Sequence, residues 1–302
     1  MFVSLITWDG GFRESFHTAE CAASLTSESH ESELIWTEYY AAVGSRLETL
    51  VSGSPRLRVL CLNLRGEWHA GVCMNEGAKR AKGDLLIFTD GDVYYGSDFL
   101  DQVVKIHQAN EGAAIYFRRY DQIKQTEPRP IDPGHLAATS QPMKNFNFGA
   151  GLAIAPGTFW SVGGFSTHPV FAGAGRINGE LYIRLRNAGT PIIIPKSPKL
   201  YHPWHPNSSG TGDIDHLERK FALQEYVCDQ EAVNVISTVD DILIDQYIRK
   251  SPFFSNAESA QPFLKNQTAV PAASKIGSKR QARRLIEISA RFLRRVAKRL
   301  SP

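Results

Sequence analysis

Leu85-Leu-Ile-Phe-Thr-Asp90-Gly-Asp92-Val93 is the stretch on which the reading of this chain turns. An apolar run too short for a helix ends abruptly in two carboxylates one residue apart, the mark of a buried strand closed by an Asp-Gly turn. Working outward, the strand candidates are Phe2 to Trp8, Glu33 to Glu38, Leu57 to Leu64, Asp84 to Thr89 and Ala113 to Tyr120. Between the first four lie residues at helical spacing: Phe16, Ala19 and Ala23; Val43, Leu47 and Leu50; Val72, Asn75 and Ala78. That βαβ rhythm predicts an α/β fold with a mostly parallel central sheet flanked by helices. In such sheets ligands sit beyond the carboxyl ends of the strands, near the point where strand order reverses.

Asp90 and Asp92 stand at such an end. Two acids at i and i+2, with Gly91 between them to permit a tight turn, can both reach one hard cation and leave positions open for phosphate oxygens. The plain alternative is a solvated Asp-Gly turn.

Past the fifth strand the pattern lapses. Gln122 to Asn147, with Pro128, Pro130, Pro133 and Pro142, reads as a long surface loop. Asn147, Gly149 and Gly151 then open a glycine-rich section, where missing side chains let backbone approach a ligand or another strand. Leu181 to Ala188 reads as a helix stopped by Gly189, Pro191 to Pro195 as a short strand, and residues 213–250 as two more helices. Trp160 reads as core, and Arg118, Arg119 and Lys144 read either as phosphate contacts or, as is usual for bases at a strand end or in a loop, as solvated side chains.

The chain has 302 residues, 42% hydrophobic and 22% charged, enough apolar material for a sizeable core and far from a disordered or collagenous composition. Cys21, Cys61, Cys73 and Cys228 form no CxxC pair, so reduced thiols and no structural zinc are expected. No apolar run approaches the roughly 20 residues of a membrane span, and no basic segment precedes Phe2, so a cytoplasmic chain is expected. Charge is uneven: from Lys275 to Pro302 ten basic residues face one acid, Glu287, so the tail carries about +9 and the preceding residues about −6 of a net +3. Leu285, Ile288, Phe292, Val296 and Leu300 recur at helical spacing, predicting a basic amphipathic helix suited to an anionic membrane surface. Nothing in the body interleaves aromatic and basic residues as a nucleic-acid platform does.

The order Ser4-Leu-Ile-Thr-Trp, Glu33-Leu-Ile-Trp-Thr-Glu38 and Asn75-Glu-Gly77 through Gly83-Asp84-Leu-Leu-Ile-Phe-Thr-Asp90-Gly-Asp92 resembles the nucleotide-sugar half of family 2 glycosyltransferases of the GT-A fold. Gly149 to Phe165, Asn178 to Gly189 and Tyr201-His-Pro-Trp-His205 resemble the galactosyltransferase-like and polypeptide N-acetylgalactosaminyltransferase-like branches. The resemblance spans about residues 2 to 206. It implies a GT-A domain over 1–250, with a nucleotide-binding half (1–120), an acceptor and metal half (121–210) and a helical extension (211–250). A linker (251–274) and the tail helix (275–302) follow. It further implies a nucleoside diphosphate sugar as donor, a glycan or lipid-linked acceptor, and Mn2+ or Mg2+ held by Asp90, Asp92 and His202. His205 and Trp204 are alternatives to His202 or its neighbours. Asn75, Gly91 and Gly149 are expected beside Asp90 at the donor, Thr7, Trp8 and Asp9 after the first strand are expected to line its base or ribose pocket, and Glu38 falls where the family has an acid contacting the nucleobase. The family's paired acids fall on Ile177 and Asn178, so Glu180 becomes the candidate base with Asn178 beside it. With the tail, the expected location is the inner membrane face and the expected setting bacterial surface-polysaccharide assembly.

Overall fold

A computed structural model describes residues 1–10, 18–25, 27, 29–66, 68–123, 130–143, 148–167, 171–172 and 177–205. The chain divides into two compact units, Met1–Thr167 with Ala172–Ser209, and His168–Phe171 with Gly210–Pro302. The helices expected over 213–250, the linker 251–274 and the tail 275–302 lie outside the described residues.

The first unit is built on a seven-stranded sheet. Its strands are β1 (Phe2–Asp9), β2 (Glu31–Glu38), β3 (Leu57–Cys61), β4 (Leu85–Thr89), β6 (Ala114–Tyr116), β9 (Gly151–Ile154) and β10 (Ile192–Ile193). They run in the order β10-β6-β9-β4-β1-β2-β3. From β4 to β3 every pairing is parallel, as the βαβ rhythm requires, whereas β9 runs antiparallel to both β4 and β6. The chain lays down β1, β2 and β3 in one direction and then returns to place β4 on the other side of β1. Strand order therefore reverses at β1 and β4, with Asp9 and Asp90 at the reversal. All five residues of β4 are buried, which explains its unbroken apolar run.

Helices α1 (Thr18–Ala23), α2 (Ser45–Gly53), α3 (Ala70–Arg80) and α4 (Phe99–Ala109) occupy the connections. Helix α3 lies close on the sheet because Gly77 has no side chain: a Cβ there would meet Ile6 Cγ2 at 2.6 Å. Val3, Leu5, Trp36, Ile87, Phe99, Val103, Ile115 and Phe117 form the centre of the core. Helix α7 (Ile177–Asn187) ends at Gly189, which takes φ +78° as a helix-ending glycine does.

Three expectations need correction. Ala113 to Tyr120 is two strands, β6 and then β7 (Arg119–Gln122), because the chain leaves the large sheet after Tyr116 for a second one. That four-stranded sheet has the order β5-β11-β7-β8, with β5 (Tyr94–Tyr95), β8 (Ser140–Pro142) and β11 (Leu200–His202). The expected loop from Gln122 to Asn147 contains helix α5 (Pro133–Thr139), whose Asp132 carboxylate accepts the His135 N–H, followed by β8. Trp160 is not core: helix α6 (Pro156–Ser161) turns Phe159 inward and leaves Trp160 37% exposed.

Candidate metal centre

Strand β4 delivers the Asp90-Gly91-Asp92 turn, and its two acids part company. Asp92 is buried at 5% exposure, and Gly91 is buried beside it. Asp90 is half-buried, its Oδ2 3.6 Å from Arg119 Nη1. Across from Asp92, β11 ends in His202, and the chain continues through Pro203 and Trp204 to His205. His202 Nε2 lies 3.6 Å and His205 Nε2 3.5 Å from the same oxygen, Asp92 Oδ2, and the two nitrogens are 3.1 Å apart. Both rings are largely buried.

These three residues form a group able to hold a cation. A point equidistant from three atoms so spaced lies about 2 Å from each, the length of a transition-metal bond to imidazole or carboxylate. One carboxylate and two imidazoles therefore fit a divalent metal ion. This group shares Asp92 and His202 with the expected set of Asp90, Asp92 and His202 and adds His205, while Asp90 has Arg119 Nη1 3.6 Å from its Oδ2.

The ends of β1 and β2 form a second cluster of acids. In parallel register Asp9 stands beside Glu38, and both are buried. Asp9 Oδ1 accepts the Gly10 N–H at 2.7 Å and Glu38 Oε1 the Tyr40 N–H at 3.1 Å. Cys73 of α3 faces this charge: burial first, then Glu38 and Asp9, push its thiol far above the ordinary range. Trp8 stacks on Trp68 with ring centroids 4.8 Å apart. Thr7, one residue deeper in β1, is buried within the sheet.

Other expected site residues make contacts within the protein. The Asn75 amide donates to Phe165 O at 2.8 Å and accepts from Phe165 N at 2.9 Å, both buried, and so splints the backbone there. Glu180 is 1% exposed and both its oxygens accept from Arg184, which also donates to the carbonyls of Val162 and Gly164. This is a structural ion pair, and the carboxylate intended as base is engaged in it. Asn178 is half-buried at the start of α7. Gly149 is half-buried before β9, and Gly151 is a packing glycine, where a Cβ would meet Leu200 Cδ1 at 2.6 Å. Asn147 and Lys144 lie outside the described residues.

Arg119 and Asp121 are the residues that sequence reasoning missed. Neither solvated nor isolated, Arg119 places Nε 2.7 Å from Asp121 Oδ1, and Asp121 Oδ1 is 3.6 Å from His202 Nδ1.

A reversal point in an α/β sheet, acids at three strand ends and a histidine-rich cluster facing one of them invite comparison with known folds. TarS of S. aureus in complex with UDP-GlcNAc superposes with a TM-score of 0.58 at 13% identity, covering 97% of this chain and 80% of that one. The fold is GT-A. The mannosyltransferase PcManGT from Pyrobaculum calidifontis, in complex with GDP-Man and Mn2+, gives a TM-score of 0.53 at 13% identity over 99% of this chain and 80% of its own. GalNAc-T7 with UDP, GalNAc and Mn2+ gives 0.54 at 13% identity, with 81% of this chain and 53% of that protein covered. In sequence, residues 47–163 match the glycosyl transferase family 2 model, in agreement with the family 2 resemblance read from the motifs within that span. No curated protein matches the chain in sequence.

Proposed function

We propose that this GT-A chain is a metal-dependent glycosyltransferase that moves a sugar from a nucleoside diphosphate, UDP before GDP, to a hydroxyl of a glycan or lipid-linked acceptor. One observation carries the reading: Asp92, His202 and His205 converge at the carboxyl end of β4, where strand order reverses. These three would hold a divalent cation, Mn2+ ahead of Mg2+ because imidazole nitrogen suits the softer ion. A cation bound by them would supply positive charge against the negative charge developing on a leaving diphosphate. Glu38 accepts from the nucleobase, with Asp9 and the Trp8–Trp68 stack beside it. Arg119 keeps Asp90 oriented at the rim of the turn. Asn178, an amide, takes no proton and serves only to orient a hydroxyl.

The tail, as a basic amphipathic helix, brings the enzyme to the anionic inner face of a membrane, where lipid-linked acceptors of surface polysaccharide are found; nucleic acid is not a partner. Among the described residues no helix is long and apolar enough to cross a membrane. A second reading, a non-catalytic scaffold, draws support from the engagement of Glu180 with Arg184. Calorimetric titration of the full chain with UDP, GDP and their sugar conjugates, with and without Mn2+, separates the two. Mn2+-dependent binding that disappears in Asp92→Ala supports the transferase; absence of binding to all of them favours the scaffold. Flotation with neutral and anionic vesicles tests the tail, and equal recovery with both would sink the charge-driven attachment.

A further inference from the structure

We infer that Asp121 is a positioning residue for the metal centre, turning the correct nitrogen of His202 toward Asp92, and that Arg119 holds it in place for this purpose. The inference rests on the reading of Asp92, His202 and His205 as cation ligands. Strands β7 and β11 pair in parallel with Asp121 directly beside His202. The Asp121 carboxylate lies 3.6 Å from Nδ1 of that ring, while Nε2 of the same ring faces Asp92. At that distance it acts by charge, longer than a hydrogen bond. Negative charge at Nδ1 favours the proton there, where the N–H dipole points toward the carboxylate, and so opposes Asp92 Oδ2, which stands at the same 3.6 Å from Nε2 and draws the proton to that side. The Asp121 charge thereby raises the share of rings whose Nε2 lone pair is open to a cation.

Arg119 holds Asp121 by one hydrogen bond and by charge. Nη2 donates to Oδ2 at 3.3 Å, and Nε stands 2.7 Å from Oδ1 as an ion pair without the angle of a hydrogen bond. Nη1 of the same guanidinium reaches toward Asp90, so one side chain links the Asp-Gly-Asp turn to the carboxylate behind His202. The next residue of β7 braces the other histidine. Gln122 Oε1 accepts the Trp204 N–H at 3.0 Å, within the turn between His202 and His205, and Gln122 Nε2 donates to Thr139 Oγ1 at 3.1 Å. Three of the four residues of β7 thus support the cluster without belonging to it.

Two readouts test the role on the full chain, neither requiring catalysis. Imidazole nitrogen NMR of the metal-free protein, at a pH where the rings are neutral, reports the tautomer of His202; titration with Mn2+ alone, followed by electron paramagnetic resonance, reports affinity. The Nδ1–H tautomer of His202 is expected to be more populated in the wild type than in Asp121→Ala, which should bind Mn2+ about 10- to 100-fold more weakly, as the loss of an outer-shell partner does. Asp121→Asn should fall between the two. A folded Asp121→Ala with unchanged tautomer balance and affinity overturns the inference. Should Asp121→Ala fail to fold, the same comparison with Asp121→Asn decides. A wild type that binds no Mn2+ refutes the metal centre itself; the tautomer balance of wild type against variant then judges Asp121 separately, a shift supporting its hold on the ring and no shift refuting it.

Discussion

Asp9 and Glu38 reach the candidate site on neighbouring strands of one parallel sheet, in register, whereas Asp92, His202 and His205 are brought together by a four-stranded sheet of short segments drawn from both halves of the unit. In the first region each strand's burial pattern fixes how far it runs, so its end and the residue there follow from the core. In the second, β5 has two residues, β8 and β11 three each and β7 four, all too short to hold a position by their own apolar pattern. There the geometry depends on Arg119, Asp121 and Gln122. Substitutions in the framework should therefore cost stability, and substitutions around the small sheet should cost ligand binding while the fold persists.

The largest effect is expected in the framework. Glu180→Gln leaves the Arg184 guanidinium buried without its counter-charge, and removing one partner of such a pair costs about 3 to 5 kcal/mol. Urea unfolding should show a loss of that size. A protein that keeps its stability and loses only transfer activity would break the comparison and restore Glu180 as the base. Next, His202→Ala and His205→Ala should each weaken Mn2+ binding on the order of 100-fold, at or above the upper end of what an outer-shell change costs. Their urea midpoints should stay near wild type. Unequal losses would sharpen the picture by showing which ring is the true ligand.

The parallel core was legible because its strands carry continuous apolar runs and its helices a helical period, signals written locally in Phe2 to Trp8 or Leu85 to Phe88. Asp92 was singled out by the strand end that precedes it, and His202 by the resemblance of Tyr201-His-Pro-Trp-His205 to family motifs. What escaped is non-local. Arg119-Tyr-Asp-Gln122 alternates charged and polar residues with no apolar face, so nothing in it announces a strand; only its pairing with Leu200–His202 makes it one. The division between Asp90 and Asp92 is equally hidden, since it depends on where Arg119 falls. Asn75 poses a different question. Its place in a family-like motif suggests donor contact, and its amide is engaged as a backbone partner for Phe165. Asn75→Ala strands a buried N–H and C=O and should cost about 2 kcal/mol. Nucleotide affinity in that variant should stay at the wild-type level, and a selective loss of affinity would return Asn75 to the donor site.

The smallest effect concerns acid. His107 lies in α4 on the buried face that includes Leu100, Val103 and Val104, and burial lowers its imidazole below the ordinary value, with Glu111 working the other way. As pH falls past about 6.5 the unfolded chain takes up this proton before the folded one does, so the unfolded state gains. The contribution of His107 to stability is therefore whole above that pH and is lost progressively below it, at no more than about 1.4 kcal/mol per pH unit for one proton. Urea unfolding of the wild type and of His107→Leu between neutral and mildly acidic pH measures the difference in slope, the wild type declining more steeply. Because α4 packs in the large sheet's core, this acid sensitivity belongs to the framework, and Mn2+ affinity should not distinguish the two proteins at a fixed pH. Equal unfolding slopes would show that His107 carries no proton-linked cost.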